Sequence, residues 1–206
     1  MQKIQFGHQS FSPSKIICVG RNYVEHIEEL HNQIPDEIVL FIKPNSSISH
    51  QLYLPKERCR FEAELSFLVQ NNQFVGVGFG LDLTLIDVQK RLKEKGLPWE
   101  KSKAFDFSAC FSVFVPFSDL DALRLELKIN GKTRQFATSA LMIHQPQEIF
   151  DEIQRYFTLE DGDIIMTGTP KGVGLLEEND RFEGVVFEGK NEIISQQWQV
   201  SRLMTS

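Results

Sequence analysis

Two carboxylates one residue apart, Glu62 and Glu64, lie inside the apolar stretch FEAELSFLV at residues 61–69. An extended chain turns alternate residues to opposite faces. Glu62, Glu64 and Ser66 then share one face, and Phe61, Ala63, Leu65, Phe67 and Val69 the other. Like charges at that spacing repel unless water or a cation screens them. The stretch therefore reads either as a half-exposed strand with a solvated outer face or as part of a cation site. Asp82, in GLDLTLIDVQ, ends a glycine-rich run. It supplies a third hard oxygen donor, or else caps the helix that follows. Three carboxylates suit Mg²⁺ or Mn²⁺, which keep several waters for a substrate to replace. With no Cys or His nearby in sequence they suit zinc poorly.

Three further groups carry chemistry. His26 and Glu29 in YVEHIEEL are three residues apart and share a helical face. A carboxylate beside an imidazole raises its basicity and fixes its tautomer, so the pair can take a proton from water; otherwise it is a solvated helix face. Lys101 and Lys103 in WEKSKAFDF can neutralise an anionic substrate or solubilise the surface. TGTPKGVG at 167–174 fits a tight loop presenting backbone N–H groups and the Thr169 hydroxyl. It is not a Walker A loop, because no Lys-Ser/Thr pair follows the spaced glycines. GVGFG at 76–80 likewise lacks the third glycine of a dinucleotide fingerprint.

The elements that must position these groups are mostly strands. Short apolar runs recur, among them KIICVG, IVLFIK, FSVFVPF, LRLELKIN, DIIMTG and FEGVVFEG. Asn130-Gly131 between LELKI and KTRQF is a strong hairpin signal. The 17 phenylalanines fit a packed sheet core better than a helix bundle. Three helices are expected. One starts near Thr84, which can cap it, carries Asp87 in its first turn, and stops at Gly96 and Pro98. A second starts at Pro146 and places Ile149, Ile153 and Phe157 on one face. A short third buries Val24, Ile27 and Leu30. The fold class is mainly β with a few helices (α+β). With no repeat, low-complexity tract or linker, residues 1–206 read as one domain.

The net charge of −6, with acidic and basic residues spread along the chain, argues against nucleic acid and anionic membranes as partners. The expected partner is a small molecule or a cation. Cys18, Cys59 and Cys110 are odd in number, far apart, and set in or beside apolar runs. They read as buried thiols of a reducing compartment. The N-terminus lacks the pattern of a signal peptide, and no apolar run is long enough to span a bilayer, so a cytoplasmic protein is expected.

In order, CVGRNYVEHIEEL, LFIKP, FEAELSFLV, GLDLTLIDVQKRLKEKGLPWEKSKAFD, NGKTRQ and TLEDGDIIMTGTPKGVG resemble the fumarylacetoacetate hydrolase family, in particular its small acylpyruvase and oxaloacetate decarboxylase/tautomerase members. The collinear blocks span nearly the whole chain. The resemblance implies a mixed β-sandwich roll, usually dimeric. It implies Mg²⁺ or Mn²⁺ on Glu62, Glu64 and Asp82, and catalytic roles for His26, Glu29 and Lys103, the first two on a segment that is a lid in relatives. It places Arg21, Lys43, Gln89 and Thr169 around the substrate. One departure is visible: relatives often have histidine just before the E-x-E pair, where this chain has Phe61.

The reaction expected is hydrolysis of the C–C bond of an acylpyruvate-type 2,4-dioxo acid, an anionic 2-oxo acid, through a pyruvate enolate. His26 and Glu29 would activate the water, and Lys103 would stabilise the developing charge. Oxaloacetate decarboxylation or tautomerisation, or isomerisation of a 2-hydroxy-diene-dioate, is the alternative on the same site. A metal-dependent binding protein without turnover is the alternative of another class.

Overall fold

The computed structural model describes residues 1–203. Its main layer is a seven-stranded mixed sheet. From edge to edge the strands are Val39–Pro44, Lys15–Gly20, Ile164–Met166, Ala63–Gln70, Gln73–Asp82, Ala109–Phe111 and Ile48–Ser49. A four-stranded antiparallel sheet, in the order Lys132–Thr138, Leu123–Ile129, Arg181–Glu188 and Asn191–Gln199, packs on one face. Leu65, Phe67, Val77 and Phe79 of the first sheet meet Leu123, Leu125, Leu127, Val186 and Trp198 of the second in one apolar cluster. The contact is close enough that a Cβ on Gly184 would lie 2.6 Å from the Phe79 ring.

The opposite face of the seven-stranded sheet is also covered, so its central strands read as continuous apolar runs rather than alternating ones. That face carries Ile16, Cys18, Leu68, Ile164 and Met166 beneath Ile4, Phe6, Phe11 and Phe114. A helix at Pro146–Gln154 packs Ile149, Phe150 and Ile153 on Ile17, Val19, Val69 and Ile165, beside the four-stranded sheet on the first face, since Ile165 pairs with Phe67. The fold is thus the mainly β, two-sheet architecture expected. The Asn130-Gly131 hairpin joins Leu123–Ile129 to Lys132–Thr138, with both turn residues at positive φ, 51° and 78°. All three cysteines are buried and free. Among the described residues no helix is long and apolar enough to cross a membrane.

Three expectations need correction. The stretch at 61–69 is not one strand with a solvated face. It changes sheet at Glu62: Cys59–Phe61 pairs with Thr84–Leu85 and Gly174–Leu175, while Ala63–Gln70 enters the seven-stranded sheet. Every residue from Phe61 to Val69 is buried, because both faces of the sheet are covered. Thr84 does not cap the next helix. It lies in the short strand paired with Cys59–Phe61, its hydroxyl donates to Glu62 Oε1 at 3.0 Å, and the helix spans Ile86–Glu94. Its expected end at Gly96 is right, with φ +61°. In the short helix Val24–Glu29, Val24 is exposed, whereas His26 and Ile27 are buried. A helix of six residues buries only a narrow arc, and here that arc faces a cavity.

Candidate active site

The cavity, about 280 Å³, opens where the Val24–Glu29 helix crosses the sheet. Arg21, His26, Glu62, Glu64, Gln89, Lys103 and Thr169 all line it. Residues far apart in sequence are thus brought to one place, and Asp82 and Glu29 lie directly behind this lining. One carboxylate oxygen each from Glu62, Glu64 and Asp82 falls within 4.8 Å of the others, and all three side chains are buried.

The sheet change at Glu62 allows this convergence. It points Glu62 across to Thr84 and Arg60, while Glu64, one residue into the next strand, meets the loop after Ile164–Met166. Glu64 Oε2 accepts the Gly168 N–H at 2.7 Å. Gly168 has φ +94°, and a Cβ there would lie 2.8 Å from Asn22, so this approach needs glycine. Asn22 ties the two loops together, its amide donating to the carbonyls of Thr167 (2.8 Å) and His144 (3.0 Å).

Three cations face two of the carboxylates, Glu62 and Asp82. Lys103 Nζ lies 2.9 Å from Glu62 Oε2 and 2.5 Å from Asp82 Oδ2. Arg60 donates through Nε and Nη2 to Glu62 Oε1, at 2.9 and 2.7 Å. Lys43, fully buried, lies 2.8 Å from Asp82 Oδ1. Burial alone would raise the Glu62 carboxyl, but Lys103, Arg60 and His26 outweigh it and hold the group well below the usual carboxylate range. Burial also disfavours the charged form of Lys103, yet Asp82 and Glu62 keep its ammonium protonated far above neutrality.

Glu64 differs. Among the described residues it forms no ion pair, and burial together with Asp82 and Glu62 pushes its carboxyl well up. Asp82 Oδ1 makes no well-aligned hydrogen bond despite the nearby Lys43. A buried carboxylate without a cation, beside an under-used carboxylate oxygen, fits a divalent ion at this triad. Hard oxygen donors alone suit Mg²⁺ or Mn²⁺.

His26 Nδ1 lies 3.2 Å from Glu29 Oε2, and the Glu29 carboxylate accepts the Gly172 N–H at 3.0 and 3.2 Å. The loop at 167–174 therefore orients the carboxylate that orients the imidazole. Burial lowers the His26 pKa, against the opposing pull of Glu62 and Glu29, and so favours the neutral ring. Thr169 is at the cavity, but its hydroxyl already donates to Ala63 O at 2.9 Å and accepts from Gln135 Nε2 at 2.8 Å. Lys43 does not reach the cavity lining. Its ammonium is caged by Asp82, Ser108 and the carbonyls of Leu83 and Lys103. Lys101 is exposed and apart from the site. Phe61 is buried edge-to-face against Phe182, 5.1 Å between ring centres, so position 61 belongs to the core.

The model of the fumarylacetoacetate (FAA) hydrolase C-terminal family matches residues 15–196, a span that includes every residue of this site. The chain belongs to the fumarylacetoacetate hydrolase family. The oxaloacetate tautomerase YcgM of Escherichia coli is 39% identical over 196 residues, covering 85% of this chain and 89% of that protein. The mitochondrial oxaloacetate tautomerase FAHD1 of Mus musculus is 38% identical over 206 residues, covering 91% of each. The crystal structure of fumarylpyruvate hydrolase from Pseudomonas aeruginosa, in complex with Mn²⁺ and pyruvate, superposes with a TM-score of 0.87 at 28% identity, over 98% of this chain and 96% of that one.

Within this family member, sequence reasoning passed over Arg60, Lys93 and Trp99, all of which line the cavity. For Arg60 a signal was available. R-x-E-x-E puts Arg60, Glu62 and Glu64 at strand period, so a cation was due beside the carboxylates. Lys93 and Trp99 come from a helix and a turn six residues apart, and no local spacing marks them as neighbours.

Proposed function

We propose that the chain is a divalent-metal-dependent tautomerase of a small 2-oxo acid, with oxaloacetate as the type substrate. The observation that carries this reading is His26, braced by Glu29, lining the same cavity as Glu62, Glu64 and Lys103. The two oxaloacetate tautomerases among its relatives support it. Mg²⁺ or Mn²⁺ on Glu62, Glu64 and Asp82 would supply Lewis-acid polarisation of the 2-oxo oxygen.

The residues of the chain supply the rest. His26 takes a proton from C3 of the keto acid. The C–H electron pair becomes the C2–C3 double bond, and the carbonyl π pair moves onto the 2-oxo oxygen. The Lys103 ammonium stabilises the negative charge that develops there. His26 returns the proton to that oxygen, giving the enol, and the reverse sequence regenerates the ketone. Glu29 keeps the imidazole in the tautomer with its proton on Nδ1, and its charge stabilises the imidazolium formed in between. Lys43 acts on Asp82 rather than on substrate. The whole described chain serves as one catalytic domain in a reducing, cytoplasmic setting, and it works as a homodimer.

C–C hydrolysis is the second reading, favoured by the same histidine–carboxylate pair and by the likeness to the fumarylpyruvate hydrolase. There His26 would take its proton from water instead of from C3. Ultraviolet absorbance of the enol separates the two. With Mg²⁺ present, the protein should speed oxaloacetate keto–enol equilibration well beyond Mg²⁺ alone, and chelation should abolish the gain. Cleavage of an acylpyruvate without any effect on oxaloacetate would replace the first reading with the second.

A further inference from the structure

Two cations at the cavity mouth have no anion. Arg21 and Lys93 both line the cavity, and among the described residues neither forms an ion pair. Arg21 makes only two long hydrogen bonds, of 3.4 Å each, to the Asn32 side chain and the Gln33 carbonyl. Its backbone lies at φ +59°, a conformation that non-glycine residues rarely adopt. The Lys93 ammonium sits 5.2 Å from the centre of the Trp99 ring, and Trp99 is itself held edge-on by Phe41 at 5.3 Å. Partial burial lowers the Lys93 pKa, and the neighbouring Arg21, Lys103 and Arg60 lower it further. Positive charge is therefore concentrated at this rim without a carboxylate to balance it. Arg60 and Lys103, deeper in the cavity, are already paired with Glu62.

We propose that Lys93, held by Trp99 and assisted by Arg21, binds the second carboxylate of the substrate and so selects 2-oxo dicarboxylates over 2-oxo monocarboxylates. The inference rests on the tautomerase reading for the position of the 2-oxo acid end, at the carboxylate triad. Lys93 is a specificity-determining residue. It lines the same cavity as Glu62 and Glu64 from its exposed side, and takes no part in moving the C3 proton. An apolar acyl group there would leave two cations unpaired at the rim, whereas a carboxylate gives both a partner.

The test is equilibrium binding to the Mg²⁺-loaded protein by calorimetry, with pyruvate as the monocarboxylate probe and 2-oxoglutarate as the dicarboxylate probe. Wild type should bind 2-oxoglutarate about ten-fold or more tightly than pyruvate, the scale of one charge-assisted hydrogen bond. Lys93→Met should erase that preference and leave pyruvate affinity unchanged. Lys93→Arg should restore most of it, and Lys95→Met, on the exposed end of the same segment, should behave as wild type. No preference in wild type, a preference that survives Lys93→Met, or an equal loss for both probes would overturn the proposal. Oxaloacetate turnover by wild type is measured alongside. A Lys93-dependent binding preference without turnover would leave the subsite standing and remove the tautomerase reading, while turnover without the preference would do the reverse.

Discussion

Replacing Lys43 by Met keeps the length and apolar volume of the side chain and removes its charge. The family resemblance placed this lysine around the substrate, whereas the structure buries it completely behind Asp82. Its ammonium touches five oxygens: Asp82 Oδ1, Ser108 Oγ and the carbonyls of Leu83, Lys103 and Ser108. Three of these keep other partners, since Ser108 O also accepts the Leu83 N–H and the Ser108 hydroxyl donates to Lys103 O. The loss therefore falls on Asp82 and on Leu83 O. Breaking a buried ion pair from one side costs about 3–5 kcal/mol. For a chain of this size that is a fall in Tm of roughly 6–20 °C. Mg²⁺ at 100 times Kd should stabilise wild type and variant alike by about 2.7 kcal/mol, and should narrow the gap only if the variant, with Asp82 short of a partner, binds the ion more tightly. Urea unfolding and thermal melts, with and without Mg²⁺, read both effects. A variant within about 0.5 kcal/mol of wild type, the range of an ordinary surface change, with a raised KM would refute the argument and return Lys43 to the substrate.

Other substitutions test the neighbouring claims. Glu64→Gln removes the buried carboxylate that lacks a cation, whose raised pKa makes the metal-free fold lose stability as pH rises past the unfolded carboxyl value of about 4.3. The metal-free variant should melt at or above wild type at pH 7, yet lose the rise in Tm that Mg²⁺ confers; an undiminished Mg²⁺ effect would exclude Glu64 as a ligand. Glu29→Gln should lower turnover by about 10²–10⁴, the usual range for general-base help, with Mg²⁺ affinity intact. Burial keeps the His26 pKa below its ordinary value, so wild-type activity should fall only as pH drops through that lowered value; loss of the Glu29 charge should move this acid limb lower still in a pH–rate profile. Gly172→Ala places a Cβ 2.1 Å from Arg134 O at φ +99°, which should cost about 1–3 kcal/mol in urea unfolding and also lower turnover, since the Gly172 N–H holds Glu29. An active, fully stable alanine variant would detach the loop from the His26–Glu29 pair.

Residue chemistry alone carried much of the site. Two carboxylates in an apolar strand, a third after a glycine-rich run, and a histidine with a carboxylate on one helical turn were legible because strand and helix periods fix which side chains share a face. Periodicity and turn chemistry likewise made the β-rich class, the Asn130-Gly131 hairpin and the helix at Pro146 readable. Local pattern could not tell that the stretch at 61–69 changes sheet at Glu62, because burial on both faces hides alternation. Nor could it place Thr84 on Glu62 rather than on a helix end, since a hydroxyl beside a helix start serves either use and a residue 22 positions away decides it. The family resemblance places Lys43 around the substrate. Only the packing of the sheet against the loop around Ser108 encloses this lysine and turns it toward Asp82. Lys93 and Trp99 become neighbours of Arg21 through the fold alone, since they meet around a cavity whose walls come from four separate parts of the chain.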